Sequence, residues 1–209
     1  MPRLIVERVG MAHPGDVSEV AALLGSGRIP GSASLRAVVG KTEGNGGLND
    51  FTRGYFIQSL THLLAVSGGG TAEAWAARLP CVLPGGTEGV LSPHAVLFAV
   101  VKDGGGRGSG LGIGTAFGPP LPREAAAGTD AHIAAVEATV RRAMAAADFA
   151  EPGLVFVKTP AGSLPAMARA RAAAAIGAAR ALGDVPADRP AATRLRAHGP
   201  RCGRRSWRS

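Results

Sequence analysis

Two short apolar runs, Leu35–Val39 and Leu154–Val157, each lead into a lysine–threonine pair, Lys41-Thr42 and Lys158-Thr159. Each is preceded by another apolar run and a stretch with helical spacing. In the first case these are Leu4-Ile5-Val6 with Val9, then Val17, Val20, Ala21 and Leu24. In the second they are Leu111–Phe117, then Ile133, Val136, Val140 and Met144 within Ala131–Ala147. The order strand, helix, strand, Lys-Thr therefore occurs twice. This weak but ordered internal repeat constrains the fold more than any other feature, because short strands separated by helices build small sheet-plus-helix units.

The expected class is thus α/β, made of concatenated small units. Asp16 is a candidate N-cap for the first helix, and Gly25-Ser26-Gly27 a stop for it. A polar, glycine-rich loop, Glu43–Asp50, follows the first Lys-Thr pair. A helix is expected from Asn49–Thr52 to Leu64, another over Ala72–Arg78, and strands over Cys81–Leu83 and Ala95–Val101. A last alanine-rich helix should cover Met167–Leu182. Asp103–Gly110 reads as a flexible linker. The expected division is a first unit over 1–103, a linker at 104–110, a shortened second unit over 111–185 and a basic tail over 186–209. Hydrophobic residues at 46% suffice for a core, while aromatics at 4% and 31 glycines imply close packing through small side chains. No run approaches the roughly 20 apolar residues of a membrane helix. The N-terminus lacks a signal-peptide hydrophobic segment.

The net charge of +8 is local. Residues 186–209 hold seven arginines and one acid, Asp188, which accounts for +6 and leaves +2 for residues 1–185. An arginine-rich tail can bind nucleic acid through phosphates. The favoured reading is a solvated, unstructured tail that resembles an out-of-frame translation. Cys81 and Cys202 provide neither a disulfide framework nor a metal spacing, so a reducing cytoplasm is expected. Several motifs fail. Gly40-Lys41-Thr42 lacks the glycine five positions earlier that a phosphate loop needs, since Leu35 stands there. The linker glycines do not meet a dinucleotide spacing. The five histidines are scattered, whereas a catalytic zinc needs about three clustered ligands.

Val38-Val39-Gly40-Lys41-Thr42-Glu43-Gly44-Asn45-Gly46-Gly47-Leu48-Asn49-Asp50-Phe51-Thr52-Arg53-Gly54 is too particular for generic loop chemistry. With Gly85-Gly86-Thr87-Glu88-Gly89-Val90-Leu91-Ser92-Pro93-His94 it closely resembles the first repeat of the ring-opening amidohydrolases, the cyanuric acid hydrolase and barbiturase family. The resemblance covers residues 3–185. It implies three similar units around a central site, each giving a Lys–Ser pair, with arginines around a flat cyclic imide. One serine, in the second unit, would be the nucleophile, activated by that unit's lysine. A lysine amine withdrawn from water beside other cations suits this role, and guanidinium forks suit ring carbonyls.

By position, Lys158 resembles the catalytic base, Lys41 the first unit's lysine and Arg53 its substrate-binding arginine. Pro84 and Gly85 fall in the substrate-contacting turn. An isolated lysine at a strand end is usually a solvated charge. Two in equivalent places, one inside a long signature, favour function. Arg53 could instead pair with Asp50 or Glu43, and Glu88 reads as structural. The chain also departs from the pattern. Pro84 replaces the serine that usually precedes Gly-Gly, removing a hydroxyl and a backbone donor. The stretch after Lys158 is short, and the nucleophile's position holds Ala174, with Ser163 the nearest alternative. No third unit follows, and with it would go the family's structural metal site, so no cofactor is expected in this chain. The expected activity is therefore weak or absent, the rival being a non-catalytic remnant. The expected partners are a small cyclic imide and, from the family's habit, further copies of the chain, with neither membrane nor nucleic acid.

Overall fold

The computed structural model describes residues 3–45, 47, 49–84, 92–101, 112–119, 127–148, 150–159 and 164–186. The chain divides into two compact units, residues 1–117 together with 142–156, and residues 118–141 together with 157–209. The expected linker at 104–110 and residues 187–209 of the basic tail lie outside the described residues.

The first unit is built on a four-stranded sheet. Its strands are β1 (Arg3–Gly10), β2 (Leu35–Lys41), β3 (Cys81–Val82) and β4 (His94–Val101), in the spatial order β1-β4-β2-β3. β4 runs antiparallel to both β1 and β2, and β3 is parallel to β2. A bulge between Leu35 and Ala37 adjusts the β2 register. The helices α1 (Ser18–Gly25), α2 (Thr52–Gly68) and α3 (Ala72–Arg78) belong to this unit. Alternation along β4 puts Ala95, Leu97 and Ala99 inside, all fully buried. They meet Phe56, Leu60 and Leu64, which repeat every fourth residue on α2 and are also fully buried. Burying each of these three large side chains contributes about 1.5–3 kcal/mol. α2 extends past the expected Leu64 to Gly68, where Gly69 turns the chain with φ +75°.

Asp16 does not occupy the N-cap. That place is taken by Val17, which makes no side-chain cap bond. Asp16 acts one residue earlier, accepting from Ser18 N at 3.0 Å and Ala12 N at 2.9 Å, so its carboxylate closes the loop as well as the helix start.

Two further helices follow, α4 (Asp130–Ala147) and α5 (Leu164–Ala181). The apolar runs Leu111–Phe117 and Leu154–Val157, expected as strands, form no ladder among the described residues. An apolar run becomes a strand only when a neighbour completes its hydrogen bonds. β2 has such neighbours on both sides, whereas Leu154 and Phe156 remain 71% and 54% exposed. The Phe117 carbonyl instead accepts from the Arg142 guanidinium at 3.0 Å. In the second unit α5 presents buried alanines, Ala166, Ala170, Ala173 and Ala174, at helical spacing. A Cβ at Gly177 would lie 2.7 Å from the Ile133 carbonyl oxygen, so the backbones of α4 and α5 approach closely there. No helix among the described residues is long and apolar enough to cross a membrane.

Candidate active site

The register brings Gly10, Lys41 and His94 to one end of the sheet, because Lys41 pairs with His94 on one side of β4 and Gly10 with His94 on the other. The parallel strands β2 and β3 also end here, the usual position for a site in an α/β unit. Gly40 makes the approach possible. A Cβ there would sit 2.7 Å from the His94 carbonyl oxygen and 3.2 Å from Leu83 Cδ2. Lys41 is half-buried.

The loop that follows is a built structure. Thr42, 2% exposed, shares a hydrogen bond of 2.9 Å with Thr52 through their hydroxyls. The Asp50 carboxylate accepts from Thr52 N at 3.0 Å and from the Thr52 hydroxyl at 2.5 Å. It also pairs with Arg53 Nε at 3.4 Å. The Asp50 side chain is 1% exposed and that of Arg53 34%. Arg53 donates in addition to the Gly47 carbonyl at 3.2 Å. Asn45 closes the far side, accepting from Gly47 N at 2.8 Å and donating to the Asn49 side chain at 3.0 Å. Of the two acids considered for Arg53, Asp50 is therefore the partner found, and Glu43 is exposed. The guanidinium is held from one side and remains a third open, a posture suited to donating toward a ligand.

Beside this loop the Tyr55 ring stacks on His13, with centroids 6.2 Å apart and planes 16° apart. Gly15 N donates to His13 Nδ1 at 3.2 Å. The Ala12 and Ser18 donors hold the Asp16 carboxyl down at about 2, the Ala12 amide contributing most. Neither His13 nor Tyr55 stands out in the sequence, since their contact spans two elements with no shared spacing.

In the second unit Lys158 is exposed and follows the ladder-free stretch 153–157. Its neighbour Thr159 is engaged by His132, whose Nε2 lies 2.7 Å from the Thr159 hydroxyl. His132 is 1% exposed, and burial pushes its imidazole below the usual histidine range. Ala174 lies on α5, 9% exposed, and carries no hydroxyl. Pro84 is exposed just after β3. Gly85, Glu88 and Ser163 lie outside the described residues. Lys41 and Arg53 thus belong to one unit, and Lys158 and Ala174 to the other. Among the described residues no three histidine, cysteine, aspartate or glutamate side chains gather as a metal site.

Residues 5–201 match the family described as amidohydrolase ring-opening protein, a span that runs beyond Val185 into the arginine-rich segment. The chain is 41% identical over 230 residues to a cyanuric acid amidohydrolase of Methylobacterium sp. (strain 4-46), covering 97% of this chain and 60% of that relative. It is 41% identical over 213 residues to a cyclic amide hydrolase of Azorhizobium caulinodans, covering 88% of this chain and 56% of that relative. Superposition on the crystal structure of a cyanuric acid hydrolase from A. caulinodans gives a TM-score of 0.75 at 37% identity, over 90% of this chain and 57% of that one. The chain therefore spans about 60% of the length of these relatives.

Proposed function

The chain belongs to the ring-opening amidohydrolase family, and on that premise we propose that it presents part of a cyclic-amide hydrolase site, of the kind that opens cyanuric or barbituric acid. The observation that carries this reading is the network of Thr42, Asp50, Thr52 and Arg53, which fixes a partly open guanidinium on the first turn of α2, close in sequence to Lys41 at the end of β2. Arg53 and Lys41 are the groups that bind ring carbonyls. Lys158 is the base. In the complete reaction a serine oxygen bonds to a ring carbonyl carbon while its proton passes to lysine. The C–N bond then breaks, the ring nitrogen takes the proton, and water releases the acyl group from the serine. Arginine donors stabilise the charge that develops on the carbonyl oxygen.

The chain by itself turns over weakly or not at all. Ala174 provides no nucleophile, Pro84 removes a hydroxyl from the first pair, and Lys158 is open to water. The rival reading, a non-catalytic chain that holds a cyclic imide, rests on the same residues. Purified chain assayed on cyanuric and barbituric acid, beside Lys158→Ala and Arg53→Ala, decides between them. Slow hydrolysis lost in Lys158→Ala supports the base. Binding without hydrolysis, weakened in Arg53→Ala, supports the rival. Turnover at the rate of a complete hydrolase would refute the weak-activity reading, and hydrolysis unchanged in Lys158→Ala would remove that lysine as base.

A further inference from the structure

The two Lys-Thr pairs are anchored by different chemistry. In the first unit the threonine hydroxyl meets another hydroxyl, Thr42 to Thr52. In the second unit it meets an imidazole, Thr159 to His132 at 2.7 Å. The tautomer follows from the other ring nitrogen. Gly128 N donates to His132 Nδ1 at 3.2 Å, so Nδ1 carries the lone pair and Nε2 the proton. Thr159 Oγ1 is then the acceptor. The ring is seated by its own backbone as well, since His132 N donates to the Thr129 hydroxyl at 3.3 Å in the first turn of α4. A buried, neutral ring with both nitrogens engaged is a rigid donor.

We propose that His132 is a positioning residue for Lys158: by holding the Thr159 hydroxyl, it fixes the chain segment that presents the lysine amine. The inference rests on the reading of Lys158 as base. The stretch 153–159 has no strand ladder among the described residues, so side-chain bonds such as this one set its position. Lys158 is exposed and its neighbour is clamped, which separates the two jobs: one residue is held so that the next can reach.

The chain has only three lysines, Lys41, Lys102 and Lys158, so acylation of each amine by an N-hydroxysuccinimide ester can be followed by peptide mass spectrometry on the intact, folded protein. The readout is the rate at Lys158 relative to Lys41. Thr159→Val, which keeps the shape and removes the acceptor, is expected to change that ratio several-fold. Thr159→Ser should keep it. His132→Phe should act like Thr159→Val, while His132→Gln, whose amide can donate, should recover part of the effect. An unchanged ratio in Thr159→Val overturns the proposal, even if its melting temperature falls, and so does a Ser variant that shifts as far as the Val variant. If His132→Phe does not fold, the Thr159 pair decides alone. Labelling reports placement and not catalysis, so the two ideas fail separately. Unaltered labelling with hydrolysis still lost in Lys158→Ala rejects His132 and keeps the base. Altered labelling with hydrolysis unaffected in Lys158→Ala rejects the base.

Discussion

Replacing Asp50 by alanine should destabilise the first unit by about 3 kcal/mol. The Asp50 side chain is 1% exposed, accepts from Thr52 N and from the Thr52 hydroxyl, and forms an ion pair with Arg53 Nε at 3.4 Å. Hydrogen bonds to a charged group contribute about 1.5–3 kcal/mol each, so the two to Thr52 give roughly 3–6 kcal/mol. The Arg53 pair is a third open to solvent on the guanidinium side and adds no more than about 1 kcal/mol. Water entering the space left by the side chain returns part of the total, which brings the expected loss to about 3 kcal/mol. Asp50→Asn keeps the volume and one acceptor, and should cost about half as much. Equilibrium unfolding in urea measures both, with an unchanged slope confirming that the denatured state is not what moved. A loss below about 1 kcal/mol for Asp50→Ala would show that the network is solvated and that Arg53 is not anchored through it.

Gly40→Ala pushes a methyl against the His94 carbonyl and Leu83, and should cost about 1–3 kcal/mol in thermal melts; no change would mean that β2 and β4 separate freely. Burial lowers the His132 pKa from 6.5, so the folded state binds fewer protons than the unfolded one. Its share of stability is present above pH 6.5 and is lost as pH falls through the lower folded value. The rise in stability from pH 5 to 7 should flatten in His132→Gln, and an unaltered slope would contradict the burial. Asp16 is held at about 2 against 3.8 when unconstrained, so its stabilisation is present above pH 3.8 and disappears as pH falls toward 2. Acid titration of Asp16→Asn should lack that component.

What the sequence made legible was periodicity and punctuation. α3 covers the expected Ala72–Arg78, and β4 begins one residue before the expected Ala95. Lys41, Arg53 and Lys158 could be singled out because they sit in a long signature or after repeated apolar runs. The strands expected over Leu111–Phe117 and Leu154–Val157 could not be judged from composition. An apolar run states that a segment wants burial, but whether a neighbouring strand exists is a property of the rest of the chain. Asp16 illustrates a smaller limit, since the same residue can cap a helix or close the loop before it, one position apart. His132 and Thr159 are 27 residues apart, and no local spacing marks a hydrogen bond between two segments that meet only after folding.

The close contact of α5 with α4 at Gly177 has a further consequence. Small, uniform side chains make close contact, but they carry little information about axial position. Sliding α5 past α4 by a turn of about 5.4 Å would bring Ala173 or Ala181 to the place of Gly177, where a Cβ would lie 2.7 Å from the Ile133 carbonyl oxygen. Gly177 thus indexes the pair, and bonds at the helix ends add to it. Arg141 reaches the Arg180 carbonyl at 3.0 Å near one end of the seam, and Arg169 reaches the Ala127 carbonyl at 3.3 Å near the other. These long, polar side chains add fixed points on either side of that contact. The second unit therefore keeps its alignment through a glycine-sized notch in its apolar interior together with a few bonds at the ends of the helices.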